Sequence, residues 1–266
     1  MVRGRSKEGD SGFLTELKQR IKIEEELVEA VKGRVPTGIK GFDELVRGGL
    51  FRGGTYLVSG VSGAGKSIFC LEFLYRGASE FDEPGLYISL EEHLDSLLRN
   101  AKNFNWSIDE LVDQHKLILL DLSVVAVGEK SLSLNPDVFA LDGLYATIEA
   151  IVKEGGVKRV VLDPISVLFL QYGNPGVVRR ELNIISSMLK RYRCTSLFVT
   201  ETEYGKPGIT RFGVEEFLAD GVFILYWEPE GDKRSRYIEV YKMRGSPHYE
   251  GKKRFSISED GISILF

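Results

Sequence analysis

Residues 60–67 read Gly-Val-Ser-Gly-Ala-Gly-Lys-Ser, which meets every fixed position of G-x-x-x-x-G-K-[ST], the phosphate-binding P-loop. The residue types carry the chemistry. Gly60, Gly63 and Gly65 let the backbone turn tightly and bring N–H groups against an anion, with Val61, Ser62 and Ala64 between them. Lys66 offers a compact charge for the β- and γ-phosphates, and Ser67 a hydroxyl for Mg²⁺. Thr55–Ser59 is a short β-rich run before the loop, and Ile68 opens an apolar run after it. Strand, glycine loop and helix in that order put the phosphates at a helix N-terminus. The alternative, a glycine-rich turn with no ligand, is set aside because all fixed positions match in the right context. The nucleotide set expected from this stretch is Gly60 through Ile68, binding ATP or ADP with Mg²⁺.

Three further groups stand at the ends of apolar runs. Arg159-Val-Val-Leu-Asp163 is a buried strand ending in a carboxylate, placed as a Walker B aspartate is. Asp163 would hold Mg²⁺ through water; its other reading is a turn or capping residue before Pro164. Glu91 and Glu92 follow the strand Leu86–Leu90 and are candidates to orient or deprotonate an attacking water. Glutamates at a helix start also suit the helix dipole, so position alone leaves both readings open. Thr200 and Glu201 end another strand. Ligands in open α/β sheets gather beyond the carboxyl ends of the strands, so all these groups belong at one rim.

The elements that must position them alternate. Strands are expected at 55–59, 86–90, 116–122, 159–163 and 195–200, and helices over 66–80, 93–102, 107–114, 138–154 and 175–192. Residues 164–174 read as a loop. The alternation implies a mostly parallel sheet flanked by helices. Strands near 219–227, 235–243, 252–257 and 262–265 follow without long helices, and read as antiparallel additions at the C-terminal edge. Residues 11–32 form an amphipathic helix with Leu14, Leu17, Ile21, Val28 and Val31 at helical spacing. It either lies on its own domain or packs on a neighbouring subunit. The organisation is therefore a tail and helix over 1–34 and an ATPase domain over 35–266, with an excursion at 123–137.

Composition restricts the function classes. The chain of 266 residues is 43% hydrophobic and 28% charged, with a formal net charge of −4, so no global basic field points to nucleic acid. Cys70 and Cys194 lie in apolar runs and read as core residues rather than a disulfide. His93, His115 and His248 lack metal-ligand spacing. No apolar stretch is long enough to span a membrane. The N-terminus is polar rather than a signal peptide, and a cytoplasmic location is expected.

The order P-loop, strand with Glu-Glu, then Asp163 resembles the RecA-like branch of P-loop ATPases. Within it, residues 35–257 resemble the KaiC family. Thr37-Gly38-Ile39-x-Gly41-Phe42-Asp43 with Gly48-Gly49-Leu50 resembles the family's lead-in to the P-loop. Ser89-Leu90-Glu91-Glu92 resembles its catalytic strand end. Thr200-Glu201 with Arg211-Phe212-Gly213-Val214-Glu215-Glu216-Phe217 resembles its late loop, and Lys242-Met243-Arg244-Gly245-Ser246-Pro247-His248 its K-x-R-G segment. The resemblance implies that Glu91 and Glu92 act on the lytic water and that Thr200 and Glu201 sit near the γ-phosphate. It also implies that Lys242 and Arg244, with His248 nearby, reach the nucleotide of the neighbouring subunit. Taken alone, Lys242 and Arg244 read as solvated charges guarding an edge strand. The implied assembly is a homo-oligomeric ring, a hexamer, acting with a protein partner the sequence does not name.

The sequence carries one P-loop, so one ATPase domain is expected, resembling the first of two in the family's circadian-clock member. Its loop 203–213 does not resemble the loop bearing phosphorylatable Ser/Thr pairs in the second. Two alternatives to an ATPase ring remain: a nucleotide-switched scaffold with slow turnover, and a recombinase or helicase of RecA or DnaB type. The latter needs basic loops lining the ring, but 164–174 has no Lys or Arg and 202–212 has only Lys206 and Arg211. Nucleic acid is not indicated.

Overall fold

A computed structural model describes residues 33–123, 136–202 and 208–266. The helix expected over 11–32, most of the 123–137 excursion and residues 203–207 lie outside the described residues. The chain enters through β1 (Arg34–Val35), a single turn of helix α1 (Phe42–Leu45) and β2 (Leu50–Phe51), with β1 and β2 paired antiparallel. The short β1–β2 pair has too few residues to show a period. Asp43 closes this lead-in: its carboxylate accepts the Thr37 amide at 2.9 and 3.0 Å and the Thr37 hydroxyl at 2.8 Å.

The core then alternates. β3 (Thr55–Gly60), α2 (Lys66–Glu80), β4 (Gly85–Ser89), α3 (Leu94–Ala101), α4 (Ile108–Asp113), β5 (Leu117–Asp121), α5 (Pro136–Glu154) and β6 (Arg159–Asp163) follow in order. Next come α6 (Ser166–Tyr172), α7 (Pro175–Arg191) and β7 (Thr195–Glu201). After a 3₁₀ turn at Glu215–Phe217 the chain adds β8 (Gly221–Glu230), β9 (Lys233–Met243), β10 (Lys252–Ser258) and β11 (Gly261–Ile264). The nine-stranded sheet runs β11-β10-β9-β8-β3-β7-β6-β4-β5. All pairs from β8 through β5 are parallel; β9, β10 and β11 are antiparallel.

Both faces of the parallel part are covered, which explains why its strands read as continuous apolar runs. Tyr56, Val58, Tyr87 and Val161 face the core under α2, while Leu57, Ile88, Val160 and Leu162 face the core under α5, α6 and α7.

Three sequence expectations are corrected. Residues 166–172 are helix α6 rather than loop: Leu168 and Phe169 bury into the core, and Gly173 ends the helix with a left-handed φ of 61°. The late strands are not all antiparallel. The segment 202–220 is long enough for a crossover, which a parallel neighbour requires, and β8 joins β3 in parallel. Finally, β9 is flanked by β8 and β10, so it is not the sheet edge. β9 also ends at Met243, which leaves Arg244 in the following turn.

Candidate active site

The carboxyl ends of β3, β4, β6 and β7 open into a pocket of about 520 Å³ lined in part by Gly63, Lys66, Ser67, Glu91, Glu92, Asp163 and Glu201. The P-loop forms its floor. Gly65 takes φ 104° immediately before α2, and Gly63 takes φ 78° beneath the Trp227 ring, where a β-carbon would stand 2.6 Å from Cζ3. Both positions therefore require glycine. Ser62 and Ile68 also line the pocket, with Gly60, Val61 and Ala64 in the backbone that shapes the loop. Lys66 is buried and its Nζ donates to the Val61 carbonyl at 3.1 Å. Burial lowers its pKa, while the nearby Glu201 and Asp163 carboxylates oppose that shift.

Asp163 ends β6 and is buried. Its Oδ2 accepts the Tyr87 hydroxyl, and Ser67 lines the pocket floor with it. Burial raises its pKa; the Tyr87 and Ser67 hydroxyls and the Lys66 charge act against the rise. Among the described residues, no group of three or more His, Cys, Asp or Glu is gathered as a metal cage. One hydroxyl and one carboxylate, both hard oxygen donors at the pocket floor, suit Mg²⁺, which takes few protein ligands and completes its shell with phosphates and water.

Glu91 and Glu92 are exposed at the rim just beyond β4. Ser89 donates its hydroxyl to the Glu92 carbonyl, fixing the turn that carries them. Desolvation raises the pKa of Glu91, reinforced by the Glu201 and Asp163 charges. Glu92 is raised by desolvation and then by Asp163. A carboxylate kept more basic than usual is a better proton acceptor. Glu201 faces the same pocket and pairs with Arg211 at 3.7 Å. Thr200 does not line the pocket. It is fully buried and donates to Glu215 Oε1 at 3.1 Å. The buried Glu215 also accepts the Phe212 and Val214 amides at 3.3 and 3.1 Å, so it organises the loop that carries Arg211.

Lys242, Arg244 and His248 lie apart from this pocket. β9 runs antiparallel to β8, and Met243 pairs with Gly221, which in turn pairs with Tyr56 near the start of β3. Lys242 Nζ donates to the Glu216 and Ala219 carbonyls at 2.9 and 2.7 Å. Arg244 is 57% exposed with Asp220 at 3.9 Å, and His248 is half-buried with Nδ1 at 3.1 Å from the Tyr249 carbonyl.

Sequence reasoning missed Tyr87, Asn100 and Arg236, all of which line the pocket. Arg236 Nη2 donates to the Gly63 carbonyl at 3.2 Å, its guanidinium lies 5.2 Å from the Trp227 ring centre, and its buried Nε has no hydrogen-bond partner. The available signal was the Gly231-Asp232 turn between two β-rich runs. Once β8 joins β3 in parallel, that hairpin carries Trp227 and its pair Arg236 past the P-loop.

A family model described as "ATPase: KaiC" matches residues 35–266. The chain is 42% identical over 234 residues to the circadian clock oscillator protein KaiC of Parasynechococcus marenigrum, covering 87% of this chain and 44% of that protein. It is 42% identical over 231 residues to the protein of the same name from Parathermosynechococcus lividus, covering 86% and 42%. Against that of Synechococcus elongatus it is 40% identical over 234 residues, covering 87% and 44%. The chain thus spans less than half the length of the curated relatives it matches.

Proposed function

The chain belongs to the KaiC family of ATPases, and from that premise we propose that it binds ATP with Mg²⁺ and hydrolyses it, as a ring with the nucleotide between subunits. The observation that carries this reading is the convergence of Lys66, Ser67, Asp163, Glu91, Glu92 and Glu201 on one pocket at one end of the sheet. The P-loop amides and Lys66 would hold the phosphates. Ser67 and Asp163 would hold Mg²⁺, which when bound neutralises charge on the phosphate oxygens. Glu91 and Glu92 would orient the lytic water and take its proton, their raised affinity for protons matching that task. Arg236, with a buried Nε left over, faces the same space and would contact the nucleotide.

Lys242, Arg244 and His248 lie at the far end of the sheet from their own P-loop, which supports their acting on a neighbour's ATP. Lys242 holds the Glu216 and Ala219 carbonyls, so in this reading it braces the segment from which Arg244 reaches out. A hexamer with a cytoplasmic protein partner is the assembly proposed. Among the described residues no helix is long and apolar enough to cross a membrane.

The test measures phosphate release by the full chain with Mg²⁺ and with EDTA, alongside its mass by sedimentation with ATP. Mg²⁺-dependent release by a ring-sized species is expected. A chain that binds no ATP by calorimetry in Mg²⁺ overturns the reading.

A further inference from the structure

Tyr87 is a buried side chain whose hydroxyl the reaction as described does not use. It lies in the middle of β4, 2% exposed, and its ring belongs to the core under α2. β4 and β6 pair in parallel with Tyr87 opposite Val161 and Ser89 opposite Asp163. Tyr87 therefore stands two positions before the residue that faces Asp163, on the same side of the sheet. Two residues of strand span about 6.6 Å. A tyrosine can bridge that offset and a serine at the same place could not. Its hydroxyl donates to Asp163 Oδ2, and Ser67 lines the same pocket floor. With Ser67 beside them, Tyr87 and Asp163 make a small polar network at the floor of the pocket.

The network has a directional consequence. The terminal torsion of an aspartate is soft and broad, so a carboxylate at a strand end does not by itself face any one way. A donor held in a close-packed core removes that freedom. We propose that Tyr87 is a positioning residue: it fixes the plane of the Asp163 carboxylate, so that its free oxygen is presented, beside Ser67, to the metal that accompanies the nucleotide. Partners of this kind, one step removed from the metal, orient ligands and typically account for a 10- to 100-fold effect on metal affinity. The inference rests on the ATP reading above.

The test compares ATP affinity in Mg²⁺ and in EDTA, read by calorimetry on the full chain. Tyr87→Phe deletes one oxygen and keeps the ring. The Mg²⁺-dependent gain in ATP affinity is expected to shrink by roughly 10-fold, with affinity in EDTA and the thermal midpoint close to wild type. Asp163→Asn is expected to shrink the gain as well. The double variant should then fall no further, because Tyr87 acts through Asp163. A full Mg²⁺ gain in Tyr87→Phe, or losses that multiply in the double variant, overturns the inference. Equal losses with and without Mg²⁺ would also overturn it, by making Tyr87 a packing residue only. If the wild-type chain itself shows no Mg²⁺ gain, the ATP reading fails rather than the role of Tyr87.

Discussion

Lys66 and Arg244 stand at opposite ends of the central sheet. Lys66 follows the carboxyl end of β3, whereas the Arg244 amide donates to the Asp220 carbonyl and the Asp220 amide donates to Thr55, the first residue of β3. The length of β3 alone separates them by on the order of 17 Å. Arg244 therefore cannot serve the ATP held by its own Lys66 without dismantling the sheet. In the proposed ring it would serve a neighbour's. Arg244→Ala is expected to lower turnover by about 10³-fold or more, the effect of losing an arginine that meets the transferring phosphoryl group. Lys66→Ala subunits should be inactive for lack of ATP. If the proposed ring forms, mixing the two variants would pair some intact ATP sites with an intact Arg244, so activity should reappear above that of either variant alone. Subunit exchange is followed with labelled protein. Confirmed exchange without any recovery would make Arg244 a surface charge.

Lys66→Ala should weaken ATP binding strongly, because no other side-chain ammonium lines the described pocket. Ser67→Ala should retain nucleotide but lose Mg²⁺-dependent turnover. Calorimetry separates the two, and unchanged ATP affinity in Lys66→Ala would remove the P-loop assignment.

Glu91 and Glu92 share one turn at the pocket rim, and both are held more basic than usual by desolvation and by neighbouring carboxylates. Changing both to Gln keeps size and hydrogen bonding but removes the proton acceptor. ATP should still bind, with phosphate release at least about a hundredfold slower. Wild-type turnover in the double variant would transfer the role to Glu201, which faces the same pocket.

The glycines, Lys66, Ser67 and the strand-end carboxylates were legible because local spacing fixes them: a loop between strand and helix, and carboxyl ends that a parallel sheet must bring to one rim. Residues that depend on register were not. Tyr87 reads as one more apolar strand residue until β4 is laid beside β6, and Arg236 as one of several hairpin charges until β8 is laid beside β3. α6 was hidden because its short apolar run after Pro164 carries no side-chain cap at its start. Some motif residues also carry a role other than chemistry. Asp43 closes the lead-in turn and Glu215 organises a loop, so both are explained by their local hydrogen bonds alone.

A last expectation concerns stability and pH, and rests on Glu72 in the P-loop helix. Its side chain is 1% exposed and accepts the Ile262 amide at 2.7 Å, so it holds the β10–β11 hairpin against α2. Gly261 lies so close that a β-carbon would stand 2.4 Å from the Glu72 carboxylate. Burial pushes the Glu72 carboxyl up to about 7 from an ordinary 4.5, against the pull of the Ile262 amide and Arg76. Below pH 4.5 the group is protonated in both the folded and the unfolded chain and has no effect on the balance. Between 4.5 and 7 the unfolded chain gives up the proton while the folded chain retains it, so stability falls as pH rises. Above 7 both are ionised and the loss levels off at about 3 kcal/mol. Glu72→Gln keeps an acceptor for Ile262 and cannot ionise. Relative to the wild type it should therefore gain stability from about pH 4.5 to about pH 8, by that amount. Urea unfolding of both proteins at the two pH values measures the gain. A difference between them that does not change with pH would show that Glu72 titrates as it does in the unfolded chain, and that its burial imposes no penalty on the charge.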